Sequence, residues 1–232
     1  MPSPARRAAT AVLVPASLAS SLTLVPVALA AAPATVAPNV AATQQPGGDQ
    51  LMQMAQQYAA ALQKLHGAAF EQAFMAGMIP HHQMAVSMAR MELTDGTRPE
   101  LRAMAQRVIT AQSQEISEMT SWLKTWYGLT PAQAAARMPA GVQQMMRSMH
   151  ADMDAMSSHM ATMGAGASVD QAFMEGMIAH HEAAVLAAGT VPGQATHSRL
   201  IAVAHSIAAS QNAEITKLRT WLSNWYGKST TK

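Results

Sequence analysis

Gln72-Ala-Phe-Met-Ala-Gly-Met-Ile-Pro-His81-His82-Gln-Met-Ala-Val86 returns 99 residues later as Gln171-Ala-Phe-Met-Glu-Gly-Met-Ile-Ala-His180-His181-Glu-Ala-Ala-Val185, with eleven of fifteen positions identical. The register holds further along the chain. Gln112, Glu115, Ile116, Trp122, Leu123, Trp126, Tyr127 and Gly128 match Gln211, Glu214, Ile215, Trp221, Leu222, Trp225, Tyr226 and Gly227 at the same offset. An ungapped match of this length is duplication of a supersecondary unit, and two copies are too few for a solenoid.

Within each unit the apolar period is helical. Phe74, Met78, His81, Ala85 and Met88 follow 4-3-4-3 spacing, and Val108, Gln112, Glu115, Met119, Trp122 and Trp126 continue a similar stripe. Thr94-Asp95-Gly96-Thr97-Arg98-Pro99 breaks the first copy, and Gly189-Thr190-Val191-Pro192-Gly193 breaks the second. The pattern predicts helices over 50–66, 69–93, 98–127, 141–163, 169–188 and 196–226, with a short piece capped by Thr130-Pro131. The expected fold is all-α: two duplicated hairpins closing a four-helix bundle, with helix 50–66 and a Met-rich helix 141–163 outside or extending it. The two repeats, 49–128 and 141–227, would share one bundle domain, joined by a linker 129–140 and followed by a tail 228–232.

Residues 1–30 read as an export signal. Arg6 and Arg7 precede an acid-free apolar stretch from Ala8 to Leu29, and Ala28-Leu29-Ala30 offers a cleavage site. Pro15 and Pro26 count against the alternative of a spanning anchor. Residues 31–48, rich in Ala, Pro and Gln, read as a flexible leader. Removing Arg6 and Arg7 from the 15 basic residues leaves them level with the 13 acids, so no basic surface points to nucleic acid. The mature chain is expected to be exported, whether periplasmic, wall-associated or secreted, and not membrane-spanning.

The 232 residues contain no Cys but 20 Met. Disulfides, thiolate zinc sites, Fe–S clusters and thiol nucleophiles are thereby excluded. Glu71, Met75, Met78 and His82 share one helical face, and Asp170, Met174, Met177 and His181 repeat it. His81 and His180 sit about 100° further round. Gln112 with Glu115, and Gln211 with Glu214, place amide and carboxylate on otherwise apolar stripes. Two readings of these groups remain open: metal ligation by the His-His helix, and a purely structural His–Glu network.

Between the copies, Met145–Met163 holds seven Met. Met146, Met149, Met153, Met156, Met160 and Met163 have seam spacing, which fits core packing. The i,i+4 pairs Met146–His150 and His159–Met163 could instead offer soft ligands. Thioether with imidazole and no thiolate suits copper, above all Cu(I) rather than Cu(II). Iron is the competing metal, but the E-x-x-H motif of di-iron bundles is absent from both copies.

The duplicated F-M-x-G-M-I-x-H-H with its downstream Q-x-x-E-I resembles the domain of unknown function 305 family, which includes a copper-binding protein. The resemblance covers about residues 69–227 and implies a ferritin-like helical bundle in an exported protein. It also implies binding of copper, and silver as well, for tolerance, sequestration or transfer. The matching positions are Met78, His81, His82, Met177, His180 and His181, with Gln112, Glu115, Gln211 and Glu214 in the partner motif. The expected partners are a metal ion, together with a metal-transfer protein or a second copy of the chain. A di-iron or copper oxidoreductase and a metal-free helical interaction module are the alternative functions.

Overall fold

The computed structural model describes residues 48–227, and every regular element among them is helical. In chain order these are α1 Gly48–Leu62, α2 Gly67–Asp95, α3 Pro99–Tyr127, α4 Pro131–Ala136, α5 Ala140–Ala161, α6 Ala167–Ala188, α7 Val191–Gln194 and α8 Ser198–Tyr226. The residues read as an export signal, most of those read as a leader, and residues 228–232 lie outside the described residues. No helix among the described residues is long and apolar enough to cross a membrane.

The helix ends follow local chemistry. α3 and α8 stop at Gly128 and Gly227, whose φ of 68° and 62° suits a residue without a Cβ. α4 begins with a reciprocal capping box between Thr130 and Gln133. α7 falls in the stretch read as a break; Pro192 sits in its first turn, where a missing N–H costs no helical bond. By the 99-residue offset, α7 corresponds to the last turn of α2, so the second copy of this helix is divided by Gly189-Thr190.

α2 packs along α3, and α6 along α8, giving the two expected hairpins. The surrounding arrangement differs from the expectation. α1 and α5, expected outside or extending a bundle of α2, α3, α6 and α8, pack into the middle of it, α1 on α6 and α5, and α5 on α2 and α6. The centre is therefore made by α1, α2, α5 and α6, with α3 and α8 flanking. The cause is visible in α2, where every residue from Ala73 to Ile79 is buried. A helix apolar all round cannot be covered by one hairpin partner. α1 contributes Leu51, Ala55, Tyr58 and Leu62 to that cover, and α5 contributes Met146, Met149 and Met153. The two leading helices pack on each other and cross over: α1 lies on α6 rather than on α2, and α5 more on α2 than on its own neighbour α6.

The Met-rich helix is thus a packed seam. Met146, Met149 and Met153 are buried in one core cluster with Met156 packed against it, and Met160 is buried in the adjoining cluster with Met163 packed against that one. Met is well suited here because its unbranched thioether fills irregular gaps between helices that cross at different angles.

Candidate metal site

The motif F-M-x-G-M-I-x-H-H occupies the contact between α2 and α6. His81 and His180 meet there, ring centroids 3.7 Å apart and planes tilted by 46°. Both are almost wholly buried, His81 2% exposed and His180 0%. The His180 ring nitrogen Nε2 donates to the His81 carbonyl oxygen at 3.0 Å, which leaves Nδ1 carrying the lone pair. That Nδ1, and both ring nitrogens of His81, have no hydrogen-bond partner. Burial first, then the neighbouring imidazoles, hold both side chains well below the ordinary histidine pKa. They are neutral at neutral pH, so their lone pairs are available to a Lewis acid.

His82 and His181 face the flanking helices. His82 Nε2 lies 2.8 Å from Glu115 Oε2 on α3, and His181 Nε2 donates to Glu214 Oε2 on α8 at 2.8 Å. Each hairpin therefore carries its own imidazole–carboxylate pair, and Nδ1 of both imidazoles is buried without a partner. One turn before each carboxylate, Gln112 and Gln211 are buried with an unpartnered amide oxygen. The two adjacent histidines of each motif thus divide the work, one facing the other copy and one facing its own hairpin, as their separation of about 100° requires.

Beside His81 is a cavity of about 10 Å³, enough for one water-sized body. Phe74, Gly77, Met78 and His81 of α2, Tyr58 of α1, Met149 of α5 and Ala183, Ala184 and Ala187 of α6 line it. Imidazole and two thioethers thus border one small volume. Gly77 is needed for this packing, because a Cβ there would collide with the Tyr58 hydroxyl. Met75 is buried in the same core, whereas Met174 and Met177 pack with Phe173 and Met160 in the adjoining cluster. Among the described residues, no group of three or more His, Asp or Glu side chains is arranged to hold an ion. Any ion centred here would draw on thioethers as well.

Glu71 and Asp170 stand apart from the histidines. Eleven residues of helix, roughly 16 Å, separate Glu71 from His82. The Glu71 carboxylate accepts from the Thr196 amide, the Thr196 hydroxyl, the His197 amide, His197 Nδ1 and the Tyr127 hydroxyl. It caps the start of α8, and His197 stacks on Trp126 at 3.8 Å. Burial alone would raise the Glu71 carboxyl, but the bonds from Tyr127, His197 and Thr196 outweigh it and hold the group at about 2. Asp170 repeats the device at the start of α3, accepting from Thr97 N–H, the Thr97 hydroxyl and Arg98 N–H. Arg98 there lies over the Trp225 ring, 4.1 Å from its centroid. These are two clasps between the copies, and the Trp-Tyr ending of each repeat serves them.

Of the Met-rich helix, Met146 is buried, His150 is half-buried with its ring 6.4 Å from that of His81, and His159 is exposed. Met163 packs at the other core cluster. Sequence reasoning did not single out Met149 as a cavity residue or Thr196-His197 as a cap. The first signal was buried in a uniform Met period; the second needed knowledge of which copy faces which.

The profile of the family described as a domain of unknown function, DUF305, matches residues 27–123 and 97–222. The chain belongs to the DUF305 family. Among solved structures of this kind, CopM in its Cu(II)-bound form is 31% identical, with 70% of this chain and 99% of CopM covered and a TM-score of 0.55. CopM in its Cu(I)-bound form is also 31% identical, covering 68% of this chain and 98% of that one, again at a TM-score of 0.55. A DUF305 protein from Streptomyces coelicolor, 23% identical, shares the fold at a TM-score of 0.56 over 66% of this chain and 92% of its own. Uncharacterized protein L153 of Acanthamoeba polyphaga mimivirus is 38% identical over 50 residues, and this chain spans 33% of its length.

Proposed function

We propose that this DUF305 chain is an exported copper-binding protein that holds the ion at the contact of α2 and α6, as Cu(I) in preference to Cu(II). His81 and His180 are the imidazole ligands, and Met78 and Met149 supply thioether sulfur from the adjoining cavity. The observation that carries this reading is the unpartnered state of both His81 ring nitrogens inside the core. A buried polar group without a partner costs roughly 1–3 kcal/mol, and coordination of a cation removes that cost. Neutral imidazole with thioether, and no thiolate, favours a soft monovalent ion over Mg, Ca or Zn. Silver shares that softness. The likeness to CopM, whose structures include Cu(I)-, Cu(II)- and silver-bound forms, supports the same ion class.

His82 with Glu115, and His181 with Glu214, brace the two motif helices, fixing the rings that face inward. Export rests on the signal-like residues 1–30. Outside the cytoplasm a thioether has an advantage over a thiol, since it forms no disulfide. Holding or handing over the ion, rather than turning over a substrate, is the role this reading assigns. The test is competition with a chromophoric Cu(I) chelator. Wild-type protein is expected to withdraw Cu(I), and joint replacement His81→Leu/His180→Leu to weaken that by roughly a hundredfold or more. Wild-type protein that withdraws no Cu(I) contradicts the proposal.

A further inference from the structure

An open cleft of about 310 Å³ lies between α2 and α5, lined in part by Pro80, Met84, His150, Asp154 and Ser157. His150 stands at its inner wall. Its Nε2 is buried and unpartnered, its ring centroid is 6.4 Å from that of His81, and Met149, next to it in the chain, borders the His81 cavity. Asp154, one turn further along α5, is exposed at the cleft and supplies a negative charge.

The equivalent place in the other half is closed. At the 99-residue offset, His150 corresponds to Leu51, Asp154 to Ala55, Ser157 to Tyr58 and Met84 to Ala183. All four of those residues are buried, with exposures of 1%, 1%, 3% and 2%. One half therefore lines an open cleft with an exposed carboxylate, a half-buried imidazole and a largely buried thioether, where the other presents a packed apolar wall.

We infer that the α2–α5 cleft is the loading path of the buried His81–His180 site, with His150 as the transit ligand between solvent and His81. This rests on the copper reading above. Asp154 draws a cation into the cleft, Met84 and His150 Nε2 take it from water, and His81 takes it from His150. Each step exchanges one neutral donor for another with no change in oxidation state. Because the opposite wall is sealed, removing His150 slows both loading and release while leaving the final ligands intact.

The test follows transfer from a chromophoric Cu(I)–chelator complex to the full chain by stopped-flow absorbance, so that amplitude reports binding and rate reports the path. His150→Leu is expected to keep the wild-type amplitude and load about tenfold more slowly or worse. Asp154→Asn, an exposed change that spares the core, is expected to slow loading roughly threefold at low salt and less at high salt. His159→Leu, on the same helix but outside the cleft, is expected to load at the wild-type rate. A wild-type rate at full amplitude in His150→Leu overturns the path and leaves the copper site standing. Lost amplitude in His150→Leu makes His150 a final ligand and also overturns it. No amplitude in wild-type protein overturns the copper reading itself, and the path with it.

Discussion

The two halves of the molecule share one frame and differ in what they expose. Both keep the buried His pair, the flanking His–Glu contact and the clasp, all at the same 99-residue offset. They differ where the leading helices pack: α5 brings His150 and Asp154 to a cleft, and α1 brings Leu51 and Ala55 to a wall. The parts fixed by contact between the copies stayed paired, because each carboxylate, Glu71 or Asp170, caps a helix of the other copy. The parts touched by only one leading helix were free to diverge. Duplication thus yields a symmetric centre with one-sided access.

The clasps give the sharpest way to break that comparison. Glu71 accepts from four groups at the start of α8 and from the Tyr127 hydroxyl, whereas Asp170 accepts from three groups at the start of α3, so the two should not be equal in strength. Glu71→Gln is expected to cost roughly 3 kcal/mol of stability at pH 7 and Asp170→Asn roughly 2, by denaturant unfolding. Because the folded Glu71 pKa, about 2, lies below its ordinary 4.5, its contribution is present above pH 4.5 and lost as pH falls towards 2. The Glu71→Gln deficit should therefore shrink in acid. Equal losses at the two positions, or a deficit unchanged at pH 3, would undo the account of the clasps.

A smaller effect of opposite sign is expected at Glu92, whose counterpart in the second copy is Val191. Burial, and then the Asp170 carboxylate, push Glu92 up to about 8 from its ordinary 4.5. The fold therefore favours the protonated acid: nothing is lost below pH 4.5, and stability declines as pH rises from there towards 8. Glu92→Gln is expected to stabilise by roughly 1 kcal/mol at pH 8 and to make little difference at pH 4. A variant less stable than wild type at pH 8 would contradict this.

Helix positions and the hairpins were legible in the sequence because breaks at Gly96 and Gly189, the capping Thr130 and the repeat itself are local signals. Which helices make the centre was not. Periodicity identifies one apolar face, and from Ala73 to Ile79 α2 has no polar face to contrast with it. The same limit hid the separation of ligand candidates. Glu71 and His82 share a helical face, but roughly 16 Å of helix lies between them, and four of the five donors that claim Glu71 come from Thr196 and His197, in the other copy. The contact of His81 with His180 was implied by the repeat only once α2 was known to pack on α6.

The central claim is that His81 and His180 hold a soft cation with thioether help. X-ray absorption of the Cu(I)-loaded chain tests it most directly. The account predicts a shell containing both imidazole nitrogen and thioether sulfur, with the nitrogen contribution lost in the His81→Leu/His180→Leu variant. A shell of nitrogen and oxygen alone, or a spectrum unchanged by that variant, would contradict it.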